Sequence, residues 1–114
     1  MFDDVTSVSL HSALRGLASR QRVIADNVAN INTPGFLAGR VSFEDELRQA
    51  VTDGQTPDVA PVTQRSLEPT RLDGNNVNLD AETLSNVETG LRYQLALRAM
   101  DNEFTLLRSA MRSA

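Results

Sequence analysis

Residues Leu10–Phe36 read LHSALRGLASRQRVIADNVANINTPGF, and an apolar seam runs directly into a stop signal within them. Leu10, Leu14, Leu17, Ile24, Val28 and Ile31 fall on one 4-3-4-3 ladder whose only polar rung is Gln21. That is the heptad spacing of a helix laid along another helix. The segment Asn27-Val-Ala-Asn30-Ile-Asn32-Thr33-Pro34-Gly35-Phe36 then replaces helix formers with residues that end a helix, so the helix is predicted to finish near Asn30 or Ile31. Thr33 precedes a proline and is pushed out of the α region, while Pro34 has no amide hydrogen to extend a helical ladder. Pro34-Gly35 suits the central pair of a type II turn, with Gly35 taking the positive φ. The short amides of Asn27, Asn30 and Asn32 can satisfy carbonyls left free in the last helical turn, and Phe36 can fold back onto the seam.

The same run resembles the N-terminal signature of bacterial flagellar axial proteins, the rod and hook family. There a helix leads into an Asn-rich segment and then Asn-Thr-Pro-Gly with an aromatic, and Asn27, Asn30, Asn32, Thr33, Pro34, Gly35 and Phe36 all match. A second match lies near the C-terminus. Gly74-Asn75-Asn76-Val77-Asn78-Leu79-Asp80, followed by Leu91-Arg92-Tyr93-Gln94, is similar to the proximal rod members of that family. One departure is local: Leu37, Ala38 and Gly39 separate Phe36 from Arg40, where the family places a basic residue sooner.

The predicted fold is mainly α, with long N- and C-terminal helices pairing as a coiled-coil-like hairpin around an irregular Pro/Gly-containing middle. Residues 1–36 form the first helix and turn, 37–79 a short amphipathic segment and flexible loop, and 80–114 the last helix. Before the seam, Phe2, Val5 and Val8 alternate with polar residues, as in a frayed start, with Ser7 or Ser9 available as a cap. Gly16 costs the helix roughly 1 kcal/mol relative to Ala, or lets another backbone approach.

Val41, Phe43 and Leu47 read as a helical turn or two capped by Ser42. Glu44 and Glu46 there are an exposed charge run rather than an acid/base pair. Residues 52–76 hold Pro57, Pro61, Pro69, Gly54 and Gly74 and are expected to be loop or weak β extension, the least ordered part of the chain. Asp80 is expected to cap the last helix. Its seam has two sections, Leu84, Val87 and Leu91, then Tyr93, Leu97, Met100, Phe104, Leu107 and Met111, with Leu95 at a phase slip between them.

Composition narrows the function. The net charge is −4 with 11 arginines and no lysine, and no basic face suits nucleic acid. There is no cysteine for a disulfide, thiolate metal site or nucleophile. His11 stands without companions at ligand spacing, and Asp73–Asp80 lacks the calcium-loop pattern, so no metal or cofactor is expected. No nucleophile, base and orienting group cluster, so an enzyme is not expected. No stretch spans a bilayer, and Asp3 and Asp4 stand where a secretory leader would be basic.

The resemblance implies a structural subunit of the flagellar basal-body proximal rod in the periplasm, needed for motility. It implies self-assembly through the terminal helices into a helical tube and contacts with other rod proteins and the membrane-ring/rod junction protein. It also implies a leader that orders on contact with neighbours, and export by the flagellar type III apparatus without a cleaved signal. The alternatives are the second proximal rod protein, another axial protein, or a soluble coiled-coil adaptor, which would not need the Pro34-Gly35 turn.

Overall fold

The computed structural model describes residues 4–55 and 57–113. Met1, Phe2 and Asp3 of the expected leader, and Ala114 of the expected last helix, lie outside them. The element order is α1 (Asp4–Ala29), β1 (Gly39–Ser42), α2 (Glu44–Thr52), β2 (Val62–Arg65) and α3 (Leu79–Ser113). The molecule measures 66 × 26 × 14 Å, close to the shape of two helices side by side.

α1 and α3 run antiparallel. Asn27, near the end of α1, bonds Glu82 near the start of α3, while Leu10 and Ala13 share a groove with Ala96 and Ala99 further along it. The shorter elements lie against this pair. β1 and β2 form a two-stranded antiparallel ladder from Gly39↔Arg65 to Ser42↔Val62, and α2 follows β1 directly. Leu17, Val41 and Phe43 make the central cluster, with Ala13, Val23, Leu47, Val59 and Tyr93 around it.

The ends of α1 follow different rules. Its stop, at Ala29, falls one residue before the predicted Asn30 or Ile31, and Phe36 N–H donates to Thr33 O (3.2 Å) across a Pro34-Gly35 turn in which Gly35 has φ 75°. Its start is earlier than expected. Helix already covers Asp4, and Ser9 Oγ donates back to Val5 O (2.6 Å) inside the helix rather than capping it.

Two further caps differ from expectation. Val41 and Ser42 belong to β1, so the cap position of α2 falls on Phe43, which makes no side-chain cap bond. α3 begins at Leu79, and Asn78 Oδ1 rather than Asp80 accepts the Ala81 N–H (3.2 Å). Asn78 does so because an N-cap oxygen must reach an amide two or three residues on, and that geometry is met one residue before the helix. Thr52 closes α2, and the other described residues up to 76 are irregular apart from β2, yet they are pinned. Asn76 Nδ2 donates to Ser66 O and Glu68 O, and Ser12 Oγ donates to Pro57 O (2.8 Å).

The largest difference concerns which side of α3 meets α1. Apart from Gly90, its buried and half-buried positions are Glu82, Ser85, Thr89, Tyr93, Ala96, Met100, Glu103 and Leu107, a 3-4-4-3-4-3-4 progression that defines one face. Leu84, Val87 and Leu91 stand on the other side of the helix, exposed. The two sections of the apolar pattern are therefore two faces, and Leu95 belongs with the outward one.

Gly16 is explained by an aromatic ring rather than a backbone. A Cβ built there would lie 2.4 Å from Phe43 Cδ1, so the missing side chain is the seat of that ring. Gly16→Ala is expected to destabilise the chain by about 2 kcal/mol through overpacking, although alanine is the better helix former. Gly90→Ala, with no described atom within 4 Å of the new Cβ, should instead stabilise it by up to about 1 kcal/mol. Urea midpoints of the two variants measure the contrast.

Candidate assembly surface and the clamp that presents it

The two signature segments of the sequence, separated by some forty residues, are hydrogen-bonded to each other. Asn75 is fully buried. Its Nδ2 donates to Asn30 O and Thr33 O, both at 2.9 Å, and its Oδ1 accepts from Val77 N–H (2.7 Å). Gly35 N–H donates to Asp73 O (2.8 Å), and Asn76 N–H donates to Phe36 O (3.2 Å). Arg71 reaches across with both terminal nitrogens, to Ile31 O (2.5 Å) and Val77 O (2.7 Å). A Cβ on Gly74 would lie 3.2 Å from Gly35 Cα, so two glycines in positive φ let the turns touch.

Of the three asparagines expected to quench helix-end carbonyls, Asn30 does so, its Nδ2 donating to Asp26 O (2.9 Å). Thr33 Oγ1 in turn donates to Asn30 Oδ1 (3.0 Å). Asn32 and Pro34 are exposed, and the half-buried Phe36 ring lies under the Arg65 guanidinium, 5.2 Å from its centroid.

Asn27 works sideways instead. Its Oδ1 accepts from Gly39 N–H (2.8 Å), while Nδ2 donates to Gly39 O (3.1 Å) and Glu82 Oε1 (2.8 Å). Arg40 Nη1 donates to the other oxygen of Glu82 (2.9 Å). Asn27 and Glu82 are buried, so α1, β1 and α3 are joined by a polar knot away from water.

A second knot joins the three helices. Arg20 on α1 holds the Glu44 carboxylate with two nitrogens (2.6 and 2.7 Å) and also reaches Val41 O, its guanidinium 5.1 Å from the Phe43 ring centroid. Arg92 on α3 meets the same carboxylate at 3.0 Å. Glu44 is thus a structural acceptor rather than part of a solvated charge run. The bonds from Arg20 hold its carboxyl below the usual carboxylate range despite partial burial.

These knots fix what is left outside. On the seam of α1, Leu17 and Ile24 are buried, Leu10, Leu14 and Ile31 half-buried, and Val28 exposed. On α3, Tyr93, Met100 and Leu107 are half-buried, whereas Leu97, Phe104 and Met111 are exposed. Leu84 (62 % exposed), Val87 (54 %), Leu91 (63 %) and Leu95 (69 %) form an outward stripe over the first half of α3. An apolar groove of about 520 Å³, floored by Leu10, Ala13, Leu17, Phe43 and Leu47, opens beside Leu95. So continuous an exposed apolar strip is a candidate protein-contact surface.

Sequence reasoning missed Glu82, Asn75 and Asn76 as closing residues. The Gly74–Asp80 resemblance was the available signal. Among the described residues no group of His, Cys, Asp and Glu could hold a metal ion, and no helix is long and apolar enough to cross a membrane.

The sequence model for the family described as flagella basal body rod protein matches residues 9–36, which are most of α1 and the Pro34-Gly35 turn. Curated proteins match over nearly the whole length. Flagellar basal body rod protein FlgB of Escherichia coli K12 is 29 % identical over 122 residues, covering 89 % of this chain and 88 % of that one. The protein of that name from Borrelia hermsii is 28 % identical, covering 82 % and 86 %. That from Bacillus subtilis is 27 % identical, covering 93 % and 92 %.

Two losses test the knots. Asn75→Ala leaves the buried Val77 N–H without its acceptor and takes one of two donors from Asn30 O and from Thr33 O, at an expected cost of about 2 kcal/mol in a chemical denaturation curve. For Glu44, whose folded pKa is lowered, the contribution to stability is whole above the unfolded carboxylate pKa and is lost as pH falls through the folded one. The unfolding midpoint should therefore drop on acidification below the usual carboxylate range, and Glu44→Gln should flatten that part of the profile.

Proposed function

We infer that this chain, a FlgB-type member of the flagellar basal body rod proteins, is a structural subunit of the rod and serves motility rather than catalysis. The outward stripe of α3 carries the reading. Leu84, Val87, Leu91 and Leu95 cannot be covered by α1 without breaking the Asn27–Glu82 bond, because covering them requires turning α3 about its axis. Burial of that stripe then comes from neighbouring subunits, and each added subunit gains apolar contact that a lone copy lacks.

Association with other rod and basal-body components follows from membership. The finer assignments are ours. The subunit occupies the proximal rod, meets the membrane-ring/rod junction protein at one end and more distal rod proteins at the other, and polymerises through its terminal helices into a helical tube. The assembly seam comprises the exposed α3 residues together with Val28, Leu97, Phe104 and Met111, while Leu10, Leu17, Ile24 and Met100 hold the hairpin that presents them. Delivery is through the flagellar type III export apparatus without a cleaved signal, into the periplasmic part of the basal body. Absence of cysteine suits passage into an oxidising space.

Leu84→Glu with Leu91→Glu tests this reading. Both side chains are exposed, so far-UV circular dichroism and the unfolding midpoint should stay within about 0.5 kcal/mol of the parent. Incorporation into basal bodies and swimming should be lost, as they should on deleting residues 80–114. Normal swimming by the double-glutamate cells would sink the rod assignment.

A further inference from the structure

α3 carries the same residue pattern twice with opposite charge. Leu84, Glu88 and Leu91 stand at i, i+4 and i+7, and Phe104, Arg108 and Met111 repeat that spacing twenty residues later (104 − 84 = 108 − 88 = 111 − 91). At 3.6 residues per turn, twenty residues rotate the helix so that the two triplets lie about 160° apart, on nearly opposite faces. All six side chains are exposed.

Charge separates the triplets further. Between Asp80 and Leu91 the exposed charged residues are the acids Asp80 and Glu88, with Arg92 at the edge 3.8 Å from Glu88; from Phe104 to Ser113 the charged residues are Arg108 and Arg112, with no acid. Among the described residues, the tip is little covered for a geometric reason. Met111 shares a face with Met100 and Leu107, yet it is 69 % exposed. The antiparallel register that sets Asn27 beside Glu82 and Leu10 beside Ala99 puts Asp4 level with about residue 105, so Met111 projects beyond the described start of α1.

We propose that the tip of α3 docks on the outward stripe of α3 in a second, like-oriented copy, with Phe104 beside Leu84, Arg108 beside Glu88 and Met111 beside Leu91. This deepens the rod-subunit reading and rests on it. The shift between copies is twenty helical residues, about 30 Å along the axis. A contact between two different faces of one molecule is heterologous, so every docked copy presents a fresh stripe and a fresh tip to the next. The apolar pairs supply burial, and the acidic-to-basic pairing sets direction, since stripe on stripe or tip on tip brings like charges together.

The lack of cysteine allows a clean test with the full chain. Leu91→Cys and Met111→Cys chains are mixed and oxidised with copper phenanthroline, and a chain carrying both changes is oxidised alone. Twenty helical residues separate the two positions by about 30 Å, which excludes a disulfide within one molecule. The mixture should give predominantly 91–111 heterodimers, and the double variant should give a ladder of multimers. Arg108→Glu in the tip chain should cut the heterodimer about fivefold, and Glu88→Arg in the stripe chain should restore it. Circular dichroism verifies that the variants remain helical. A mixture that links only 91 to 91 or 111 to 111, a heterodimer indifferent to the charge reversal, or no linkage at all overturns the docking. The basal-body incorporation of Leu84→Glu/Leu91→Glu judges the rod assignment separately.

Discussion

A buried amide and a buried carboxylate, Asn27 and Glu82, set the geometry from which the rest of this molecule follows. Each is enclosed, and each has its hydrogen-bonding capacity met by groups from a different element: the Gly39 backbone, the Arg40 guanidinium, and one another. Apolar side chains tolerate sliding and rotation because their attraction has no direction. An unsatisfied carboxylate in the same place is penalised heavily, so the polar pair admits one register and one rotation of α3 against α1. The apolar seam supplies attraction, and the knot selects which of several attractive arrangements is used.

That selection turns Leu84, Val87, Leu91 and Leu95 outward. Had α3 met α1 through those leucines, the hairpin would hide most of its apolar surface and present Glu82 and Thr89 to water. The observed choice places polar groups in the seam and apolar groups on the surface over the first half of α3, the reverse of what a self-sufficient pair of helices does. A monomer built this way keeps its shape through hydrogen bonds at the closed end and leaves Leu84, Leu91 and Leu95 outside the hairpin. The Asn75 and Asn76 network around the Pro34-Gly35 turn serves the same end, since a closed end that frayed would free α3 to roll and bury its stripe.

The sequence made the two helices, the stop at Ala29 and the positive φ of Gly35 legible, because each rests on local chemistry: an apolar period, a proline and a glycine. The outward turn of α3 was not legible for a reason of the same kind. Heptad spacing shows which residues share a face but not which face meets the partner, and Glu82 reads as an ordinary first-turn acid until Asn27, fifty-five residues away, is beside it. The phase slip at Leu95 was the one local trace, since a single seam has no need to change phase. Gly16 was ambiguous likewise; only the Phe43 ring, brought by α2, shows what its missing side chain accommodates.

The caps illustrate how a tertiary bond displaces a local one. Asn27, Asn30 and Asn32 are equivalent in sequence, three short amides near the end of a helix, and the local rule gives all three the same task. Asn30 performs it through Nδ2, which reaches Asp26 O, while its Oδ1 takes the Thr33 hydroxyl. Asn27 sits one turn earlier, on the side where β1 passes close enough for Gly39 to offer both an N–H and a C=O, and a pair of backbone bonds outcompetes a helix carbonyl that is already satisfied. Gly39 can come that near because a Cβ there would lie 2.8 Å from Val23 Cγ1. One glycine in β1 thus decides the role of an asparagine in α1, which orients a glutamate in α3, which in turn decides the face of α3 that is left outward.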